Sequence, residues 1–87
     1  MHIFFETACR EGELADVSFF LSKGYPVNAC NAAGMSALML AADTGQMALS
    51  LLLLRFGASV DLTSTDNQTA SMIAQARGHI MLAKLLC

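Results

Sequence analysis

Glycines recur in this chain at a fixed spacing, and that spacing constrains the fold more than any other feature of the sequence. Gly12, Gly45 and Gly78 are each 33 residues apart, and Gly24 and Gly57 keep the same interval. The same offset also relates Ala8, Ala41 and Ala74; Leu14, Met47 and Ile80; and Phe20, Leu53 and Leu86. Self-similarity at a period of 20–50 residues is typical of stacked repeats, in which no single unit buries its own apolar face.

Within one period the pattern predicts two short helices. In the middle repeat, Ser36 is placed to cap a helix over residues 37–43, because its hydroxyl can accept a hydrogen bond from a free N–H group. Gly45 ends that helix in the left-handed conformation, and a second helix over residues 47–55 ends before Gly57. Applied to all three repeats, the pattern predicts helices over residues 3–10, 14–22, 37–43, 47–55, 70–76 and 80–86.

The apolar run at residues 47–54 has a single polar side chain, and a membrane helix is one explanation for it. A spanning helix needs about 20 mostly apolar residues. The best window, residues 35–54, is interrupted by the letters DTGQ at 43–46. Leu49, Leu52 and Leu53 share one helical face at i, i+3 and i+4 spacing, which predicts a helix buried between neighbouring repeats. We therefore expect no membrane span.

The middle repeat, NAAGMSALMLAADTGQMALSLLLLRFGASVD, resembles an ankyrin repeat. The family pattern is D-x-x-G-x-T-P-L-H-x-A-A-x-x-G-H-x-x-x-V-x-x-L-L-x-x-G-A-x-V-N. The positions of the middle repeat that match it are Asn31, Gly34, Ser36, Leu38, Ala41, Ala42, Gly45, Leu53, Leu54, Gly57, Ala58, Val60 and Asp61. The first unit aligns Gly12, Gly24, Val27 and Asn28, and the last aligns Thr69, Ala74, Gly78, His79, Leu85 and Leu86.

The resemblance implies an all-α fold, an α-solenoid of helix-turn-helix repeats with projecting β-hairpin-like turns. It divides one domain, residues 1–87, into repeat 1 at about 1–30, repeat 2 at about 31–63 and a truncated repeat 3 at about 64–87. The turns near residues 29–33 and 62–66 are expected to project from one side. The family's Thr-Pro-Leu-His tetrapeptide is here SALM or TASM, without the Pro or the His. Asn67 replaces the turn glycine, and Asn adopts the left-handed backbone conformation more readily than most other residues.

Composition and residue placement argue against chemistry in this chain. The net charge is −2 and the five Lys and Arg residues are scattered, so there is no basic stripe for a nucleic acid. His2 and His79 lie far apart in the sequence, and His79 occupies a family position with a structural role. The chain has no Gly-rich nucleotide loop and no close Cys or His pairs. We expect no enzymatic activity, no cofactor, no metal and no small-molecule substrate.

The three cysteines, Cys9, Cys30 and Cys87, are odd in number and widely separated, which argues against a disulfide framework. Cys9 is expected to be a small buried apolar residue. The N-terminal residues lack the features of a signal peptide. These points predict an intracellular protein, in the cytoplasm, nucleus or an organelle matrix, that is not secreted.

Ankyrin repeats as a family bind other proteins through the turn tips and the exposed face of their first helices. The resemblance therefore implies a partner-binding surface on this chain, while for any single residue the alternative is plain solvation, because few positions carry most of an interface's energy. The partner-binding candidates are Arg10, Glu11, Ala32, Ala33, Met35, Asp43, Thr44, Thr65, Asp66, Gln68 and Arg77. The same candidate surface also includes Cys30, Thr63 and Ala76.

A second surface competes with the first. Leu51 and Met81 occupy second-helix positions that the family usually leaves polar, and the sequence ends in Leu-Leu-Cys instead of a polar capping unit. The resulting candidate docking edge comprises Leu51, Met81, Leu82, Leu85 and Leu86. Two functions follow: a non-catalytic interaction or scaffold module that uses the concave face, or an accessory subunit or ordered fragment docked in a larger protein assembly through this edge. In both, the partner is another protein chain or assembly.

Overall fold

Six helices, two in each repeat, make up the regular structure of the described residues, 5–31 and 33–86, of a computed structural model. They are α1 Phe5–Glu11, α2 Leu14–Ser22, α3 Ala37–Thr44, α4 Met47–Arg55, α5 Ala70–Ala76 and α6 Ile80–Leu85. The predicted bounds of α2, α4 and α5 are confirmed. Helices α1 and α3 end one residue later than predicted and α6 ends one residue earlier, while the predicted start of α1 at residue 3 lies outside the described residues.

The helices form two layers. Helices α1, α3 and α5 pack side by side in one layer, and in the other α2 packs against α4. Within each repeat the second helix packs against the first. Across residues 5–31 and 33–86 the backbone forms no strand, and an isolated antiparallel bridge joins Cys30 to Ser36. The predicted all-α stack is confirmed.

Hydroxyl side chains begin the first helices of repeats 2 and 3 in the same way. Ser36 Oγ accepts a hydrogen bond from the Met39 N–H at 3.4 Å, and Thr69 Oγ1 accepts one from the Met72 N–H at 3.3 Å. Each bond satisfies one of the free donors of a helix start. Helix α3 ends at Gly45 with φ 73°, which confirms both the predicted cap and the predicted left-handed terminus.

The core lies between the two layers and between successive repeats. Leu49 and Leu53 of α4 are fully buried, as predicted, whereas Leu52 is half-buried against the same core. The small residues Ala41 and Ala42 of α3 and Ala74 of α5 are also fully buried, which lets neighbouring first helices approach closely. The apolar run of α4 is therefore a packing surface of the stack. No helix within the described parts of the chain is long and apolar enough to cross a membrane.

The turns that lead into repeats 2 and 3 have matching hydrogen bonds. The Asn31 N–H donates to the Met35 carbonyl at 3.1 Å, and 33 residues later the Ser64 N–H donates to the Gln68 carbonyl at 3.0 Å. These bonds close hairpin-like turns of the predicted kind. Asn67 has φ 59°, which confirms that it takes the left-handed position of the turn.

The predicted docking edge is wrong in two of its five residues. Leu82 and Leu86 are 3% and 2% exposed and belong to the core. They are four residues apart, so they share one face of the chain at α6 and its C-cap, and this face turns inward. The prediction assumed that this terminal helix was covered on one side only, whereas the stack buries its inner face. Met81, Leu85 and Leu51 are exposed.

Candidate binding groove

An open groove of about 380 Å³ runs between repeats 2 and 3, with turn tips on one side and the first helices α3 and α5 on the other. Its lining residues are Ala33, Met35, Asp43, Ser64, Thr65, Asp66, Gln68, Ile73, Ala76 and Arg77. Those among the partner-binding candidates are Ala33, Met35, Asp43, Thr65, Asp66, Gln68 and Arg77. Residues that are far apart in the sequence therefore meet on one surface, and both turn tips contribute to it.

The tip of repeat 3 is held against the tip of repeat 2. Thr65 Oγ1 donates a hydrogen bond to the Ala33 carbonyl at 3.1 Å, and the Thr65 N–H donates to the same carbonyl at 3.4 Å. Within the tip, Ser64 Oγ accepts hydrogen bonds from the N–H groups of Asp66 and Gln68, at 3.2 and 3.4 Å. These contacts fix the backbone of the tip wall before any ligand arrives.

The tip of repeat 2 is organised by Asn31. Its Oδ1 accepts hydrogen bonds from the N–H groups of Ala33 and Met35, at 2.9 and 3.0 Å. Its Nδ2 donates to Glu6 Oε2 of repeat 1 at 3.1 Å. Met35 is half-buried and also borders a second cavity of about 70 Å³ on the repeat 1 side, so it lies between two hollows of the same surface.

The helix wall carries an ion pair between repeats. Arg77 Nε donates to Asp43 Oδ1 at 2.6 Å, with side chains that are 63% and 33% exposed. Such exposed pairs contribute about 0–1 kcal/mol, so this pair fixes side-chain geometry more than it stabilises the fold. The apolar side chains of Met35, Ile73 and Ala76 line the same groove.

Four of the predicted partner-binding residues are not among the lining residues of this groove. Arg10 and Glu11 are exposed at the end of α1, and Arg10 Nη2 donates to Glu6 Oε2 at 2.8 Å. Thr44 is exposed, but its hydroxyl donates to the Leu40 carbonyl of its own helix at 2.8 Å. Ala32 lies outside the described residues.

Sequence reasoning missed two lining residues, Ser64 and Ile73. Ser64 lies 33 residues after Asn31 and repeats its role as acceptor for the turn, so the period itself could have found it. Ile73 follows Leu40 by the same interval, and nothing in the sequence distinguishes it from a buried first-helix position. It is 6% exposed and borders the groove with that fraction of its surface.

The buried thiol of Cys9 has no chemistry to offer in this arrangement. Burial raises the pKa of the Cys9 thiol to about 12, and the negative charge of Glu6 adds to the shift. A thiol with this pKa is protonated and unreactive at neutral pH. Cys9 is fully buried, as predicted. Over residues 5–31 and 33–86, no three His, Cys, Asp or Glu side chains are grouped to hold a metal ion.

Comparison with known families decides the identity of the fold. A family model described as ankyrin repeats, in three copies, matches residues 5–87. The chain belongs to the ankyrin repeat family. Ankyrin repeats generally mediate protein–protein interaction, and ankyrin repeat domains are typically non-catalytic. The resemblance found in the sequence is thereby confirmed, and the groove lies on the surface that it implied.

Equivalent positions contribute a side-chain contact at both junctions of this ankyrin stack. Gln46 Nε2 donates to the carbonyls of Cys9 and Arg10 in repeat 1, at 2.9 and 3.2 Å. The equivalent residue in repeat 3, His79, packs over Gly45, where a Cβ atom would lie 2.7 Å from His79 Cε1. His79 therefore contacts the preceding repeat, in agreement with the structural role expected for its position.

Proposed function

We propose that this ankyrin repeat protein is a non-catalytic protein–protein interaction module that binds its partner in the groove between repeats 2 and 3. One observation carries the proposal. Seven residues selected by the family pattern, spread from position 33 to position 77, line the same open groove. A shared site for residues so distant in the sequence is expected if the surface binds a partner.

The chemistry of the groove suits a segment of a protein chain. Its lining combines apolar side chains with amide, hydroxyl and charged groups, and its tips are fixed by internal hydrogen bonds. An interface of this kind combines a dry centre with a polar edge, and a fixed surface lowers the entropic cost of binding. Nucleic acid is a poor fit, because the charged lining residues are Asp43, Asp66 and Arg77, which sum to −1.

The absence of catalysis is part of the proposal. His79 packs on the preceding repeat, the Cys9 thiol is protonated and buried, and Asp43 is engaged by Arg77. Ser64 and Thr65 share the groove with two aspartates, but the described hydrogen bonds of both hydroxyls go to backbone groups and none goes to a carboxylate base. We also propose an intracellular setting, where reduced cysteines persist.

The test is to select short displayed peptides on the immobilised chain and map the best binder by NMR chemical-shift perturbation. We expect shifts at the two turn tips and along α3 and α5. Met35→Glu should weaken binding about tenfold or more, because a buried Met side chain contributes about 1.5–3 kcal/mol. Met81→Glu is the matched control, since Met81 is 72% exposed on α6, away from the groove.

A second candidate function is docking as an accessory subunit through the outer surface of the second helices. The observation that favours it is the placement of exposed large hydrophobic side chains on α2, α4 and α6. These residues are Leu14, Phe19, Met47, Leu51, Ile80, Met81 and Leu85. The same NMR map decides between the two surfaces: shifts confined to the second helices, with binding lost in Met81→Glu and kept in Met35→Glu, would replace the groove with this surface.

A further inference from the structure

We infer that the groove accepts a protein segment that presents a basic side chain next to an apolar one, with the basic group between the carboxylates of Asp43 and Asp66. This inference rests on the proposed function and adds the chemistry of the partner to it. The two carboxylates belong to opposite walls of one groove, Asp43 to helix α3 and Asp66 to the tip of repeat 3.

The charges of the groove are unbalanced in favour of a cation. Among the described residues, Arg77 is the one basic residue that lines it, and its Nε is already bound to Asp43 Oδ1 at 2.6 Å. Asp66 is exposed and forms no ion pair with any described residue. Further along the first helices, Arg10 is paired with Glu6 at 2.8 Å and so supplies no free positive charge.

The apolar residues of the lining favour a neighbouring apolar side chain. Met35 is half-buried, Ile73 is buried and Ala76 is exposed, and all three line the groove. The Met35 side chain is flexible and adapts to different apolar shapes. A volume of about 380 Å³ is at the lower end of the range of ligand sites, about 300–1,000 Å³, and suits a few side chains rather than a folded domain.

An acidic segment fits less well. Its carboxylate could reach the remaining N–H groups of Arg77, but it would also lie near Asp43 and Asp66. Like charges brought together at an interface cost free energy, whereas a basic group gains from the carboxylate of Asp66, unpaired among the described residues, and from the net charge of −1 of the charged lining residues. The arrangement therefore selects for a cation and against an anion.

The experiment uses a randomised displayed-peptide library and sequences the pool that the wild-type chain retains. We expect enrichment of Arg or Lys within two positions of Leu, Ile, Met or Phe. The best peptide is then synthesised, together with a version in which its basic residue is Gln, and binding is measured by fluorescence anisotropy. Asp66→Asn should weaken binding of the basic peptide about two- to fivefold, the effect of one exposed ion pair.

Two controls isolate the charge. Asp61→Asn removes an equal charge from an exposed turn position outside the groove and should leave the affinity unchanged. The Gln peptide should bind Asp66→Asn and wild type equally, and added salt should weaken the basic peptide more than the Gln peptide. Asp66 has no described side-chain hydrogen bond, so Asp66→Asn is expected to keep the fold, which circular dichroism checks.

The outcomes separate this inference from the proposed function. Peptides that map to the groove but are enriched in acidic or uncharged residues would overturn the inference and leave the groove as a binding site. Equal binding of the basic peptide by wild type and Asp66→Asn would also overturn it. If no peptide is enriched, or if binders map elsewhere, both this inference and the proposed function are wrong.

Discussion

At the scale of single residues, the two described cysteines have opposite environments. Cys9 is fully buried in α1, whereas Cys30 is exposed at the start of a turn. We predict that iodoacetamide alkylates Cys30 in the folded protein and modifies Cys9 only after unfolding, because the thiolate is the reactive form and burial suppresses it. Mass spectrometry of a Cys87→Ser variant, with and without urea, measures this. Equal rates at Cys9 and Cys30 in the folded chain would contradict it.

The same thiol gives a pH dependence of stability. The pKa of the Cys9 thiol rises from 9.0 to about 12 on folding. The contribution of this protonated thiol to the free energy of unfolding is therefore fully present below pH 9 and is lost as the pH rises from 9 towards 12. We predict that the stability advantage of wild type over Cys9→Ala shrinks across this window, at up to about 1.4 kcal/mol per pH unit. Urea unfolding of both proteins at several pH values measures the difference, and Cys30→Ala is the control. If the stability difference between wild type and Cys9→Ala stays constant from pH 8 to pH 11, ionisation of Cys9 is not linked to unfolding and the prediction is wrong.

At the scale of helices and turns, Gly45 has two roles that can be separated. Gly45 and Gly57 both follow helices with positive φ, at 73° and 88°, so alanine at either position costs about 1–2 kcal/mol in backbone strain. At Gly45 the new methyl group would also lie 2.7 Å from His79, while at Gly57 no described atom lies within 4 Å. We predict that Gly45→Ala destabilises the protein by about 1 kcal/mol more than Gly57→Ala, an overpacking cost.

A double-mutant cycle tests the cause. In a His79→Ala background the extra cost of Gly45→Ala should disappear, because the ring that it strikes is gone. Chemical denaturation gives the four free energies of unfolding. If the extra cost persists without His79, the contact over Gly45 is not its origin.

Most of the helical architecture could be predicted because its determinants are local. The Ser36 side chain can cap a helix start, and the Gly45 backbone can take the left-handed conformation of a helix end. The bounds of α3 were therefore predicted to within one residue. The error at Leu82 and Leu86 has a different origin. Which face of α6 turns inward depends on packing against α5. The prediction of a docking edge considered only the missing neighbour after α6, so it did not include this contact.

The binding surface was predictable in position but not in contacts. The family pattern selected both Met35 and Asp66 as partner-binding candidates, and both line the groove. The pairing of Arg77 with Asp43 was not predicted, because nothing in the sequence selects one partner for Arg77 among seven acidic residues. Such a pair depends on how two successive first helices lie against each other, which is a tertiary property.

At the scale of the whole molecule, one side chain of repeat 2 makes two of the hydrogen bonds that hold repeat 1. Gln46 supplies hydrogen bonds to two carbonyls at the end of α1. We predict that Gln46→Ala destabilises the stack by about 1–2 kcal/mol, since each lost bond is worth about 0.5–1.5 kcal/mol. Hydrogen–deuterium exchange should show faster exchange in α1 and α2 than in α5 and α6, because each repeat contacts only its neighbours.

The matched control for this prediction is Gln75→Ala. Gln75 is exposed on α5 and its side chain forms no described hydrogen bond, so the substitution removes the same amide without touching a junction. Uniform acceleration of exchange over all six helices in Gln46→Ala would instead mean that the stack opens as one unit.

The junction bonds have a consequence for how such a protein evolves. Gln46 reaches the main-chain oxygens of Cys9 and Arg10, and Thr65 reaches that of Ala33, and every amino acid has such an oxygen. The side chains at positions 10 and 33, both partner-binding candidates, thus take no part in these junction hydrogen bonds. Mutation at these positions can change what the surface recognises while the hydrogen bonds from the neighbouring repeat to the main chain remain. Selection can therefore redirect the specificity of the protein without first rebuilding its fold.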